Sequence, residues 1–300
     1  MITRFDHFVI GVRDLDAAVR HYQKLGFDVR PGGKHVGLGT HNAIIRFGLD
    51  YIELISVYDD AEATSGRLAG QELVNFLHAR DGGLLGYALA SSNLEDEARL
   101  LDSGDLMTKP FAMQRKRPDG NVLAWRLLVP GNVSWRRPWP FFIQWDTPDE
   151  QRLSWEGPGS HANGASRWSS IAVVVRDLDR MSHLYRQFGL EEEGYKEEIP
   201  HLGAVRSSFV VPGSSRVDLL MPVDNGPIQK MLDEVGEGPY EATLTVSDLD
   251  QTISYLRQQG VNVEQYASGS VLLLPEQTLG ARIVLSGPSS EVRTFLFQSS

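Results

Sequence analysis

His7 and Glu53 stand out for chemistry. His7 lies in the apolar run Phe5-Asp6-His7-Phe8-Val9-Ile10-Gly11-Val12, and Glu53 lies in Tyr51-Ile52-Glu53-Leu54-Ile55. If both runs are strands, a period of two puts Phe5, His7, Val9 and Gly11 on one face, and Tyr51, Glu53 and Ile55 on one face. A glutamate among such neighbours is costly to bury alone, so it needs a protonated histidine, an arginine or a metal beside it. The pair suits proton abstraction next to a carbonyl, or a metal site completed by a third ligand and water. A neutralising His7–Glu53 contact with no chemistry is the alternative.

Further candidates surround this pair. His35 and His41 are six residues apart, and an extended chain would put both on one face, which makes His41 the local choice for a third ligand. As a residue after glycines it reads otherwise as a hydrogen-bonding group, with Asn42, at a substrate. Arg115, Lys116, Arg117 and Arg126 concentrate positive charge in an otherwise acidic chain. Arg126 shares a face with Ala124 and Leu128, and a strand-borne arginine makes a good clamp for a small organic anion. Arg117 is, with Arg126, a candidate substrate-binding residue, and a solvated basic turn is the plainer reading of Arg115 to Arg117. All six tryptophans lie between Trp125 and Trp168. They suit packing between domains, or else a tryptophan-walled pocket with Trp125 at a ligand. The glycines from Gly32 to Gly39 do not make a nucleotide loop, because no Gly-Lys-Ser/Thr follows and the dinucleotide fingerprint's third glycine is missing.

The elements that must position these residues repeat four times. His7 to Val12 runs into Asp14, Leu85 to Leu89 into Asn93, Ser170 to Val175 into Asp177, and Ala242 to Val246 into Asp248. A helical period follows each, as in Leu15, Ala18, Val19, Tyr22 and Leu25, so the Asx residue is placed as an N-cap. Gly26, Gly104, Gly189 and Gly260 then fall where a left-handed residue would end each helix. Further strands are expected over Asn42 to Phe47, Tyr51 to Val57, Val122 to Val129, Phe141 to Trp145, Val205 to Val211, Val217 to Met221, Ser270 to Leu274 and Ala281 to Leu285. Each unit is a strand, a helix and about three more strands. One such unit leaves a sheet face bare, so units should pair.

Composition bounds the rest. The 300 residues are 41% hydrophobic and 23% charged, enough for two ordinary domains with real cores. Lys and Arg number 29 against 39 Asp and Glu, a net charge of -10 that argues against nucleic acid or an anionic membrane as partner. With no apolar stretch of membrane-spanning length and no leader-like N-terminus, the expectation is a cytoplasmic protein. The absence of cysteine removes disulfides, thiolate metal sites and cysteine nucleophiles. The chain divides into a first domain over 1–146, a Trp-, Gly- and Pro-rich linker over 147–165, and a second domain over 166–300.

A duplicated unit of this kind resembles the vicinal oxygen chelate superfamily of glyoxalase I, extradiol dioxygenases and bleomycin-binding proteins. The resemblance is sharpest around His7, Gly32-Gly33-Lys34-His35, Gly37-Leu38-Gly39-Thr40-His41-Asn42 and Tyr51-Ile52-Glu53-Leu54-Ile55. It continues in Arg117-Pro118-Asp119-Gly120 and Pro140-Phe141-Phe142-Ile143-Gln144-Trp145, and looks like the glyoxalase-like group. It implies an α+β fold of four βαβββ modules, paired into two glyoxalase-like domains with curved mixed sheets around a cleft. It also implies metal ligands on the first and last strand of each module. Those positions hold His7 and Glu53, Gly86 and about Ile143 or Gln144, Ser170 and Asp218, and Glu241 and about Ile283. Only His7 and Glu53 remain in the first pair as ligands for zinc, manganese, nickel or iron, and the second domain reads as degenerate. The implied function is a lyase or isomerase acting on a small oxygenated anionic metabolite, by a monomer or homodimer. A non-catalytic binding protein is the alternative, and an extradiol dioxygenase the third reading.

Overall fold

In the computed structural model the described residues are 1–35, 37–66, 70–101, 106, 108–117, 120–132, 135–266 and 269–288. Gly104 and Pro118-Asp119 lie outside them. Strands β1 (Ile2–Val12), β2 (Val29–His35), β3 (Thr40–Arg46), β4 (Tyr51–Val57), β5 (Gly82–Ser91), β6 (Phe111–Lys116), β7 (Val122–Leu128) and β8 (Phe141–Trp145) form one eight-stranded sheet in the order β2-β3-β4-β1-β5-β8-β7-β6. Strands β9 (Ala165–Val174), β10 (Glu191–Ile199), β11 (Ala204–Val211), β12 (Ser215–Pro222), β13 (Gly238–Val246), β14 (Val263–Gln265), β15 (Ser270–Leu273) and β16 (Ile283–Ser286) form a second sheet with the corresponding order, β10-β11-β12-β9-β13-β16-β15-β14. In each sheet the first strands of two modules pair antiparallel at the centre, while within a module the first and last strands run parallel. The fold is therefore α+β, with four modules paired in twos.

Among the described residues eight α-helices accompany the sheets: α1 (Leu15–Lys24), α2 (Asp60–Ser65), α3 (Gly70–Ala79), α4 (Leu94–Leu101), α5 (Asp149–Trp155), α6 (Leu178–Gln187), α7 (Pro227–Glu234) and α8 (Leu249–Gln258). Asp14, Asp177 and Asp248 each accept from the backbone N–H three residues on, and Asn93 accepts from that of Glu95. Each such cap is worth about 1 kcal/mol. Gly26, Gly189 and Gly260 have φ of 89°, 78° and 70° behind their helices, a conformation a side chain would strain. Among the described residues no helix is long and apolar enough to cross a membrane.

The helix-covered faces of the two sheets pack into one continuous core. Trp168 of β9 lies in it, its ring 4.3 Å from that of Phe5 and 4.4 Å from that of Phe8. The Tyr87 and Tyr185 hydroxyls meet there, and Tyr185 also donates to the Pro138 carbonyl at 3.0 Å. With those faces joined, the open faces belong to two separate apolar clusters, one per sheet. Each half therefore closes on its own cleft.

A bulge in β1 corrects one reading. The pairing with β5 steps from Phe5 opposite Leu89 to His7 opposite Ala88, leaving Asp6 as an extra residue. Alternation is reset there. Phe5 joins Phe8 and Ile10 in the shared core, whereas His7 faces the open side with Val9. Phe5 and His7 do not share a face.

Candidate functional site

The open face of the N-terminal sheet carries a cavity of about 90 Å³, room for several waters or one small organic molecule. His7, Tyr51, Glu53 and Ile55 enter it from β1 and β4. His35, Thr40, Asn42, Ile44 and Arg46 enter from β2 and β3. Module two supplies Met113, Arg115, Trp125, Leu127, Phe141, Ile143 and Trp145, and Leu73 of α3 closes one side.

His7 is fixed from three directions. Its Nδ1 lies 2.8 Å from Asp6 Oδ1, its ring stacks on Tyr51 at 4.5 Å, and Phe141 meets it edge-on at 5.4 Å. Asp6 is fully buried and also receives Arg4 Nη1 at 2.8 Å and Trp145 Nε1 at 2.9 Å. Burial alone would raise the Asp6 pKa. Arg4, the hydrogen bond from His7 and the nearby Arg152 overcome that and hold the carboxyl far below the usual range. Asp6 is thus an anion that accepts the Nδ1 proton, which turns Nε2 toward Glu53 Oε2, 3.8 Å away.

Glu53 is held from behind as well. Its Oε1 accepts from Asn42 Nδ2 at 2.5 Å, and His35 Nε2 stands 3.8 Å away. The Asn42 amide also points Nδ2 at His35 Nε2 (3.3 Å), while His35 Nδ1 lies 2.9 Å from Thr40 Oγ1. An amide N–H facing Nε2 makes that nitrogen an acceptor, so the His35 proton sits on Nδ1 and goes to Thr40. Burial pushes the His35 pKa below its ordinary value, in agreement with a neutral ring. Gly32 leaves room for this arrangement, since a Cβ there would come within 1.9 Å of Asn42 Oδ1 and 2.9 Å of Arg115 Nη1.

Three expected contacts lie elsewhere. The turn between β2 and β3 pairs His35 with Thr40 and Lys34 with His41. Reversing the chain puts His35 and His41 on opposite faces, and His41 packs edge-on against Tyr58 at 5.7 Å, away from the cavity. Arg126 does share a face with Ala124, but that face is turned to α4, where Arg126 pairs with exposed Glu95. It is Trp125 and Leu127 that face the cavity. Arg117 lies behind the wall, its Nη1 2.6 Å from Glu156 and its Nη2 donating to the Trp155 carbonyl at 2.8 Å. Nor is the basic stretch simply solvated: Arg115 is buried and lines the cavity, and with Arg46 it also binds Glu156.

Several site residues escaped the sequence reading. Asp6 needs the bulge to reach His7. Arg152 and Glu156 come from the segment between the sheets, where nothing periodic marks them. Arg152 is fully buried, with its guanidinium 3.5 Å from the Trp145 ring centre. Of the six tryptophans, Trp125, Trp135 and Trp145 wall the cavity, and Trp168 packs between the sheets. The register also moves two ligand positions. Val9 pairs with Glu53, and at the matching place Ala88 pairs with Phe141 and Thr243 with Val284. Phe141 and Val284 therefore replace Ile143 or Gln144 and Ile283.

A resident metal does not fit this donor set. Gly86, across the central pair from Val9, offers no side chain, and Phe141 stands where a carboxylate would complete the set. His35 is committed to Thr40 and Asn42. Among the described residues no three His, Asp or Glu side chains gather closely enough to hold a metal ion. His7 and His35 flank Glu53 as two histidines and one carboxylate, but the Asn42 amide occupies both His35 Nε2 and Glu53 Oε1, and the three donors do not gather into the set of a non-haem iron centre.

The second cleft is larger, about 310 Å³, and more polar. Ser170 takes the place of His7 and Glu241 that of Gly86. Asp218 accepts from Ser208 Oγ at 2.6 Å and Arg216 Nε at 3.1 Å, and Glu241 pairs with Arg282 at 3.3 Å.

Residues 5–189 match the family model described as a glyoxalase-like domain, and residues 170–270 match that of the glyoxalase/bleomycin resistance protein/dioxygenase superfamily. A hypothetical protein from Staphylococcus aureus has a similar structure over 95% of this chain and 99% of its own, with a TM-score of 0.67 at 15% identity. Methylmalonyl-CoA epimerase from Mycobacterium tuberculosis aligns over 44% of this chain and 93% of its own, with a TM-score of 0.40 at 25% identity. No functionally curated protein is significantly similar.

Proposed function

The chain belongs to the glyoxalase-like domain family, and from that premise we propose that its N-terminal cavity is the active site of a lyase or isomerase. Its substrate is a small oxygenated anion with an acidic C–H next to a carbonyl. The observation that carries this reading is the 3.8 Å approach of His7 Nε2 to Glu53 Oε2, each side chain anchored from behind by a hydrogen bond. A histidine base with a carboxylate facing its protonated form, both fixed on one cavity wall, suits carbon acid chemistry.

In this mechanism His7 Nε2 takes the proton from the carbon. The C–H bond breaks, and its electron pair moves toward the carbonyl to give an enolate. The imidazolium so formed is stabilised through Nδ1–H by Asp6 and faces Glu53. Return of a proton, from the His7 imidazolium or from water, to the other face of the same carbon inverts it and gives an isomerase, while expulsion of a leaving group with its bonding electron pair from the adjacent β-carbon gives a lyase. No step is routed through a metal, since the donors do not form a set for one. A flat substrate filling the aromatic-walled cavity would displace its water and so strengthen each electrostatic contact.

The test is hydrogen exchange at carbon. Small 2-oxo and 2-hydroxy acids are incubated with the protein in D₂O, and loss of the C–H signal is followed by NMR. Enzyme-dependent exchange that His7→Ala and Glu53→Gln abolish is expected. Exchange that survives both substitutions, or none with any acid of the panel, overturns the proposal. The three tryptophans on the cavity wall favour one second reading, a protein that sequesters a flat ligand and releases it unchanged.

A further inference from the structure

We propose that Arg46 and Arg115 form a carboxylate anchor for a small, flat, apolar acid, and that Glu156 is the anchor's built-in competitor. The proposal rests on the reading of the N-terminal cavity as the working site, and narrows its anion to a carboxylate with an aromatic or similarly flat body.

Arg46 comes from β3 of module one and Arg115 from β6 of module two, so the two guanidiniums approach from opposite halves of the sheet. Their side chains are only 5% and 7% exposed, and both line the cavity. Glu156, just beyond α5, bridges them: Arg46 Nη2 meets Oε2 at 2.7 Å and Arg115 Nη2 meets Oε1 at 2.9 Å. Arg117 contacts the same Oε1. Among the described residues neither Arg46 nor Arg115 has a second carboxylate within ion-pair distance. Two buried guanidiniums that share one heavily used acceptor leave an electrostatic deficit, and a carboxylate arriving through the cavity would fill it with charge-assisted hydrogen bonds.

The rest of the cavity sets the ligand's shape and orientation. Trp125, Trp135 and Phe141 offer flat apolar walls, and Trp135 Nε1 is a buried donor with no acceptor among the described residues. Glu53, the cavity's own carboxylate, is held by Asn42 between His35 and His7. Like-charge repulsion keeps the ligand's carboxylate away from Glu53, at the arginine end. Its remaining carbons then extend toward His7.

Benzoate and its neutral isostere benzamide are titrated against the full chain at constant ionic strength, with tryptophan fluorescence and calorimetry as readouts. Benzoate is expected to saturate and to bind at least tenfold more tightly than benzamide. Arg115→Gln should weaken benzoate at least tenfold and leave benzamide unchanged. Glu156→Gln, which retains shape and removes the competing charge, should tighten benzoate severalfold. Equal binding of the two probes, no benzoate binding, or a Glu156→Gln protein that binds benzoate no better overturns the proposal, and the probe comparison needs no variant to fold. Benzoate binding without any carbon exchange would sink the catalytic reading and keep the anchor. Exchange with no preference for benzoate would do the reverse.

Discussion

Asp6 Oδ1 lies 2.8 Å from His7 Nδ1, although the two are consecutive residues of one strand whose side chains would ordinarily point to opposite faces. The bulge at Asp6 brings both to the open face. One extra residue thus supplies an oriented imidazole, and Arg4, the hydrogen bond from His7 and Arg152 keep the buried carboxylate ionised.

Asp6→Asn should separate positioning from binding. The amide cannot serve as an anionic acceptor for Nδ1–H, so carbon exchange should fall about 100-fold or more, while benzoate binding at the arginine end stays as it was. The same substitution leaves Arg4 and Arg152 short of a buried anion, at a cost of roughly 3 kcal/mol. The Asp6 pKa lies below its unfolded value of about 4. Its stabilisation is therefore complete above that pH and is lost as pH falls toward the folded value. Urea unfolding should show a gap between wild type and Asp6→Asn that is present at pH 5 and narrows below pH 4. A gap that widens on acidification would contradict this account.

Modules were legible in the sequence because capping and helix termination are local. Asp14, Asn93, Asp177 and Asp248 need only the next few residues to act as caps, and they do so where the pattern put them. Strands β2, β6, β10 and β14, the four sheet edges, were not located in the sequence: β2 carries Pro31-Gly32-Gly33, and β10 is an exposed acidic edge. Site geometry depended on longer-range facts. The face of His7 depends on a bulge, that of His41 on a hairpin, and Arg126's partner on where α4 packs. Glu156 is more than a hundred residues from Arg46, and no spacing in the sequence connects them.

Gly32→Ala tests the support behind Glu53. A Cβ would collide with Asn42 Oδ1 and crowd Arg115 Nη1. Both are buried, so relief must come from moving the Asn42 amide off Glu53. Overpacking of this kind costs about 1–3 kcal/mol, and exchange activity should fall while circular dichroism stays that of the wild type. Wild-type activity in a folded Gly32→Ala protein would show that Asn42 does not position Glu53.

Metal removal should change nothing. A metal that bound the native chain at one hundred times its Kd would stabilise it by about 2.7 kcal/mol, a shift of several degrees in Tm that thermal unfolding resolves easily. With glycine at Gly86 and phenylalanine at Phe141, chelator treatment and added Mn²⁺, Zn²⁺ or Ni²⁺ should leave both Tm and exchange rate unaltered. A metal-dependent rise in Tm that His7→Ala removes would contradict the donor argument.

His35 sets a second pH dependence, distinct from that of Asp6. Burial lowers its folded pKa below the ordinary 6.5, with Glu53 opposing and Arg115 adding to the shift. A lowered folded pKa means that the unfolded chain binds the proton first. The stabilisation is therefore present above the unfolded pKa and is lost as pH falls through the folded value. Unfolding free energy should decline from pH 7 to 5, by at most about 1.4 kcal/mol per unit for this one group. His35→Gln should make that decline shallower without abolishing it, because burial lowers His41 and His161 in the same direction. Asp50 and Glu241 are shifted upward by burial in both proteins, so their contribution cancels in the comparison. An unchanged slope in His35→Gln would mean that His35 takes up its proton without disturbing the fold, and that its neutral, Thr40-bound state is not what supports the cavity.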